Sequence, residues 1–260
     1  MKCQRCFNAL GLDAPDTACP RCEGTGEMCE VCNGMGFIST DAGMIPCRCG
    51  LSERNAARSL SAQRMIQQLS ILSGRLKHCG FGNFSVAGAS SPAKAALAAA
   101  VKWATNPVGW LTVYGPMGNG KTHLAAAAAN NMAERGHICL MTDVPTMLAW
   151  LRDVFRYYSS DDALSNRLAF LKNISVLILD DLGAEYHKKS NGDDSVGWAD
   201  EQLYIILNHR YNNNLPTMIA TNVSNPAQID ARIRDRVFSQ EWAVVKNSAP
   251  SWRTGKVVDR

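Results

Sequence analysis

Residues 110–122 read WLTVYGPMGNGKT, and this stretch decides the fold. WLTVY has the apolar character of a buried strand, and Lys121 to Arg135 has the Ala-rich composition of a helix. Between them Gly115, Pro116, Met117, Gly118, Asn119, Gly120, Lys121 and Thr122 fit G-x-x-x-x-G-K-[ST], in the strand-to-helix setting that a phosphate-binding loop requires. Glycines there let backbone N–H groups converge on phosphate oxygens at the positive end of a helix. The Lys121 ammonium reaches the β- and γ-phosphates, and the Thr122 hydroxyl ligates Mg²⁺. The stretch therefore predicts a Mg-nucleotide site.

Outward from the loop, strand and helix alternate. HICLMT at 137–142, SVLILD at 175–180, PTMIAT at 216–221 and EWAVV at 241–245 read as strands, with helices over 145–158, 161–172, 198–213 and 226–238. An Ala-rich helix over 93–104 follows Pro92 and stops at Asn106-Pro107. Strands that are apolar throughout are covered on both faces, so the fold class is α/β, a parallel sheet with helices on both sides. The Ala runs fit close helix packing on that sheet.

Such sheets hold ligands at the carboxyl ends of their strands. VLILDD at 176–181 ends in Asp180, placed to hold Mg²⁺ through water, and Asp181, placed to polarise the attacking water. Glu185 is the alternative base. Asp is shorter than the Glu more often found at the second position, which predicts slow hydrolysis or a switch-like role. Asn222 follows the 216–221 strand and is expected to face the γ-phosphate and lytic water, although Asn222-Val-Ser-Asn-Pro226 is also ordinary turn composition. In IDARIRDRVF, an arginine among Arg232, Arg234 and Arg236 would stabilise transition-state charge on a neighbouring subunit's nucleotide, and a salt-bridged helix face is the competing reading for two of the three.

The chain has 260 residues, 27 Lys+Arg against 23 Asp+Glu and 46% hydrophobic residues, enough for a full core and too mixed for a disordered tail. Of its 10 Cys, all but Cys79 and Cys139 fall in the first 49 residues. They pair as Cys3/Cys6, Cys19/Cys22, Cys29/Cys32 and Cys47/Cys49, enough for two four-thiolate zinc sites. Sequential pairing, with Cys3, Cys6, Cys19 and Cys22 on one ion and Cys29, Cys32, Cys47 and Cys49 on the other, has ordinary zinc-ribbon spacing. Nested pairing is the alternative, because CEGTG at 22–26 and CNGMG at 32–36 resemble the C-x-x-C-x-G-x-G repeats of the DnaJ chaperone zinc domain. Saturated sites leave no open metal position, so this is a structural module that grips a partner. No apolar run approaches the roughly 18 residues of a membrane span and no secretory leader opens the chain, so the expected location is the cytoplasm, with no membrane partner. Residues 1–50 carry more acidic than basic groups, leaving the remainder basic, which permits nucleic-acid binding.

Leu60, Met65, Ile66, Leu69, Leu72 and Leu76 recur at helical spacing and predict amphipathic helix between the cysteines and Gly-rich 80–92. The expected organisation is a zinc-binding module over 1–50, a helical linker or partner-binding arm over 51–79, and a nucleotide domain over 80–260.

In their order these elements resemble the DnaC/IstB-like branch of the AAA+ ATPases. GPMGNGKTHLAAAAAN looks like its Walker A segment, which adds His123 to the nucleotide-binding residues; VLILDDLG looks like Walker B and LPTMIATN like sensor 1. RIRDR resembles the arginine-finger region, with Arg236 the best match, and Phe81 to Phe84 resembles an aromatic-Asn-Phe stretch near the adenine. The C-x-x-C-x-G-x-G-F and P-C-R-C elements resemble the N-terminal modules of DnaC-like replication proteins of phages and bacteria, more than those of IstB transposition ATPases. The family's lid carries a second sensor arginine, for which Arg253 is a candidate, and here the lid is expected to be short or missing.

The resemblance implies an ATPase that uses ATP and Mg²⁺ and loads a replicative helicase: a zinc arm gripping a DnaB-like hexamer, and an AAA+ domain that binds ATP and single-stranded DNA and self-associates. An IstB-like regulator of transposition and a chaperone-like zinc adaptor are the alternatives. Arg152, Arg156 and Tyr157 on one predicted helix are candidate DNA contacts, as are Lys188 and Lys189 after Walker B.

Overall fold

The structure, a computed structural model, describes residues 37–40, 43–46, 51–84, 91–157, 161–183, 195–223 and 225–252. The chain forms two units, residues 1–65 and 66–260. In the first, strands β1 (Phe37–Thr40) and β2 (Gly43–Pro46) form an antiparallel hairpin with Phe37 opposite Pro46 and Thr40 opposite Gly43. Helix α1 (Leu51–Leu69) follows and enters the second unit at its end. The cysteines proposed as zinc ligands lie outside the described residues.

The second unit is built on strands β3 (Trp110–Tyr114), β4 (Cys139–Asp143), β5 (Val176–Leu182), β6 (Thr217–Thr221) and β7 (Ala243–Lys246), all parallel, in the order β4-β5-β6-β3-β7. Alternate side chains of the central strands feed two separate cores, as a pleat demands. Leu111, Val113, Ile178, Met218 and Ala220 point toward α2 (Ser91–Thr105) and α3 (Lys121–Glu134). Trp110, Leu177, Leu179 and Ile219 point to the opposite side, toward α4 (Val144–Arg152), α6 (Asp161–Asn173), α7 (Ser195–Asn212) and α8 (Ala231–Val237). Each fully buried Leu, Ile or Val is worth about 1.5–3 kcal/mol, so the continuous apolar strands supply most of the driving force.

On the first side the expected use of alanine holds: Ala96, Ala100 and Ala104 of α2 and Ala125, Ala126, Ala128 and Ala129 of α3 are buried in one core. Two expected helices are interrupted. The helix over 145–158 divides into α4 and a short α5 (Val154–Tyr157) at Asp153. The 226–238 segment divides into a 3-10 turn, Pro226–Gln228, and α8, because Asn225 accepts from Ala227 N–H and Asp230 accepts from the Arg232 and Ile233 N–H groups as an N-cap. Among the described residues no helix is long and apolar enough to cross a membrane.

Candidate nucleotide site

The carboxyl ends of β3, β5 and β6 converge, and the sequence-predicted residues lie there. Gly115 N–H donates to the Thr221 carbonyl at 3.3 Å, tying the start of the loop to the end of β6. Lys121 opens α3, is only 4% exposed, and donates from Nζ to the Pro116 carbonyl at 2.6 Å and to Asn119 Oδ1 at 3.1 Å. Its ammonium thus lies over its own loop, near enough to Asp180 for the two charges to act on each other.

Asp180, also 4% exposed, accepts a hydrogen bond from the Thr122 hydroxyl. Burial, then the neighbouring Asp181 charge, push its carboxyl up to about 6, and the Thr122 bond and Lys121 only partly offset this. A buried carboxylate beside a hydroxyl is a hard-oxygen donor set suited to Mg²⁺, and a cation there would relieve the penalty. These two oxygens are the residues that fit the metal.

Asp181 departs from regular strand geometry. Its φ is +53°, the β5–β6 register shifts between Leu179 and Leu182, and Asn222 Nδ2 donates to Asp181 Oδ1 at 2.6 Å. A left-handed non-glycine residue on a bulge turns its side chain out of the strand's alternation, here to meet Asn222 beyond β6. The two residues expected to manage the lytic water are therefore hydrogen-bonded to each other. Glu185, Lys188, Lys189 and Arg253 lie outside the described residues.

Two segments brace the loop from outside. Phe84 packs against Gly120, whose φ of +91° and lack of a Cβ admit the ring, and meets His123 edge-on with centroids 5.4 Å apart. His123 Nε2 is 3.0 Å from the Gly80 carbonyl, and Asn130 of α3 donates to the Leu76 and Cys79 carbonyls at 2.9 and 2.8 Å. The aromatic-Asn-Phe stretch is thus fastened to the phosphate-binding helix. On the other side the chain leaving β7 is latched by a reciprocal amide pair: Asn119 Nδ2 donates to the Asn247 carbonyl at 2.5 Å and Asn247 Nδ2 to the Asn119 carbonyl at 3.0 Å. Further on, Trp252 N–H donates to the Gly118 carbonyl at 2.9 Å, and a side chain on Gly118 would strike Ser251. Sequence reading missed Asn247, Ser251 and Trp252, since nothing near them in the chain marks a partner in the loop.

Arg232, Arg234 and Arg236 all lie on α8, and the described contacts of Arg236 are to α7 and α8. Of the candidate DNA contacts, Arg152 ends α4 with its guanidinium 5.0 Å from the Trp198 ring, which also meets Phe155, 64% exposed, edge-on at 6.2 Å. Phe155 and Trp198 were not singled out by sequence. The side chains of Arg156 and Tyr157 lie outside the described residues.

This arrangement defines a P-loop nucleotide site on a five-stranded parallel sheet, and residues 111–243 match the profile of the ATPase family associated with various cellular activities (AAA), to which the chain belongs. The chain is 34% identical over 115 residues to the replicative helicase loader DnaI of Bacillus subtilis, covering 44% of this chain and 33% of that one. It is 30% identical over 129 residues to the replicative helicase loader DnaC of Escherichia coli, covering 48% of this chain and 47% of that one. The chain thus spans between a third and a half of the length of these curated relatives. A crystal structure of the DnaC helicase loader shares the fold, with a TM-score of 0.54 at 23% identity over 68% of this chain and 100% of that one.

Proposed function

We propose that this protein is an ATP-dependent helicase loader of DNA replication that binds a replicative helicase hexamer through its N-terminal arm and ATP through its AAA domain. The observation that carries the reading is the joint placement of Lys121, the Thr122–Asp180 pair and the Asn222–Asp181 pair at adjoining strand ends, in a chain whose relatives include helicase loaders.

In this reading Lys121 would meet the β- and γ-phosphates above its loop, while Thr122 and, through water, Asp180 would hold Mg²⁺, which would supply charge neutralisation to the phosphates. Asp181 accepts the proton of the water that attacks the γ-phosphorus as ADP leaves. Asn222, hydrogen-bonded to Asp181 Oδ1 at 2.6 Å, would orient that carboxylate toward the water beside the γ-phosphate. Arg152, Phe155 and Trp198 offer a cation and aromatic faces suited to a single strand. Two zinc ions per chain are expected in native mass spectrometry; one or none would remove the paired-site reading.

The decisive experiment mixes the full chain with the helicase hexamer of its host and measures complex mass by light scattering, with and without ATP. Several loaders per hexamer, lost on substituting Cys29 and Cys32 by Ser while ATP binding persists, are expected. No complex with the wild-type chain would sink the loader assignment and leave the ATP site standing.

A further inference from the structure

The guanidinium of Arg236 is held along one edge. Its Nε donates to Asn208 Oδ1 at 2.9 Å, its Nη1 donates to the Arg232 carbonyl at 2.9 Å, and its Cζ lies 5.0 Å from the centroid of the Tyr204 ring. Tyr204 and Asn208 are one turn apart on α7, so they present one surface to α8. Arg232 stacks on the same ring, with Cζ at 4.8 Å, while its Nε is paired with Asp230 at 3.3 Å. A carboxylate oxygen of Asp235 lies 3.7 Å from Arg236 Nη1, but Asp235 is itself 83% exposed, a weak surface pair. Among the described residues no hydrogen bond engages Nη2, and the Arg236 side chain is 19% exposed.

A guanidinium that serves only as a structural pin is saturated by fixed acceptors on several sides, as the five-bonded Arg210 of the same helix α7 is. Arg236 is instead fixed in plane and direction with one nitrogen left over. That is what a transition-state donor needs, because a donor already oriented spends no reorganisation when charge develops. A flexible Arg has many rotamers, and one that is ordered in advance loses no side-chain entropy at the moment of reaction.

We infer that Tyr204 and Asn208 are positioning residues that hold Arg236 by its Nε edge and presents its Nη2 to the γ-phosphate of ATP bound by a second copy of this chain. The inference rests on the proposed ATPase and on the self-association and trans-acting arginine that the family resemblance implies, and adds to them the residues that orient the arginine. Asn208 acts through Arg236, so its effect is felt at the neighbour's site. Tyr204 supplies an aromatic face, not its hydroxyl, so Tyr204→Phe should behave as wild type and Tyr204→Ala should not.

The test is subunit mixing of the full chain. Asp180→Asn keeps the phosphate cradle and loses hydrolysis at its own site while still offering Arg236; Arg236→Ala keeps an intact site and lacks the donor. Each alone should be nearly inactive. An equal mixture should recover about a quarter of wild-type turnover, since half the sites are intact and half of those face an intact arginine. The double variant Asp180→Asn/Asn208→Ala, mixed with Arg236→Ala, should recover at least about 10-fold less than that, with KM for ATP unchanged, because a misdirected group costs up to roughly 100-fold in rate. Light scattering verifies that each mixture assembles to the wild-type mass. Equal recovery with and without the Asn208 change, or a Tyr204→Phe donor as poor as Tyr204→Ala, would overturn the positioning role while leaving the trans-acting arginine intact. Absence of recovery in the first mixture would overturn action in trans altogether. A wild-type chain that binds ATP but whose turnover per subunit does not rise with concentration would remove the assembly itself, and this inference with it.

Discussion

Two buried cations sit at opposite ends of the same sheet. Arg210, with no exposed surface, lies at the amino end and donates to Thr217 Oγ1 and to the carbonyls of Leu171, Lys172, Ile174 and Pro216. Those acceptors belong to the end of α6, the turn after it and the start of β6, so one side chain staples three pieces of chain and caps a helix terminus. Burial lowers its guanidinium only to about 10, and it stays charged. Lys121, at the carboxyl end, donates hydrogen bonds to Pro116 and Asn119 of its own loop and also acts on the Asp180 charge at the end of β5. Burial alone therefore does not separate scaffold from tool. Acceptors fixed in other elements make a staple, and acceptors in the loop the cation itself follows leave it able to change partner.

The largest effect expected from this contrast is on ligand affinity. Lys121→Ala should weaken ATP binding by about 1000-fold, roughly 4 kcal/mol, with little change in melting temperature without nucleotide. A fluorescent ATP analogue in titration and a thermal melt read both quantities, and a large loss of stability would erase the distinction between the two cations. Arg210→Met should do the reverse, costing about 3 kcal/mol of stability as buried carbonyls lose their donor, while the remaining folded fraction binds ATP normally. Urea unfolding measures the first, and unaltered stability would show that Arg210 is no staple.

Asp180→Asn should give the smallest effect and sharpen the contrast further. Its folded-state pKa of about 6 stands above the ordinary 3.8, so between these values the native protein keeps a proton that the unfolded chain has released. Stability of the nucleotide-free protein therefore falls as pH rises through that window and stays lower above it. Asparagine should abolish the slope and stabilise the nucleotide-free protein by ~2 kcal/mol at pH 7, while lessening without removing the gain that Mg-ATP gives the wild type. Melts from pH 4 to 8 decide it; parallel curves for the two proteins would mean that Asp180 carries no burial penalty.

The sheet was legible because its strands are apolar without interruption and punctuated by Gly, Pro and Asn, and the phosphate loop because its signature spans only eight neighbouring residues, Gly115 to Thr122. Asp180 and Asn222 were legible as polar residues at strand ends. What escaped was long-range: Arg210 stands in NHRYNNN and has the look of a solvated helix end until the turn after α6 closes over it. Trp198 lies 43 residues beyond Phe155, and helical periodicity within one segment says nothing of an aromatic contact between two. Tyr204 and Asn208 lie on a helix whose second partner, α8, begins after an intervening strand.

The Asn119–Asn247 latch joins residues 128 positions apart. During synthesis the phosphate loop emerges early, yet its outer wall is supplied only when β7 and the chain after it have been made. A nascent chain stalled before Asn247 would carry the whole nucleotide signature with an unlatched loop, since a long-range contact of this kind forms late in folding. Ribosome-bound intermediates of increasing length should therefore acquire ATP retention abruptly, over the few residues that complete the latch.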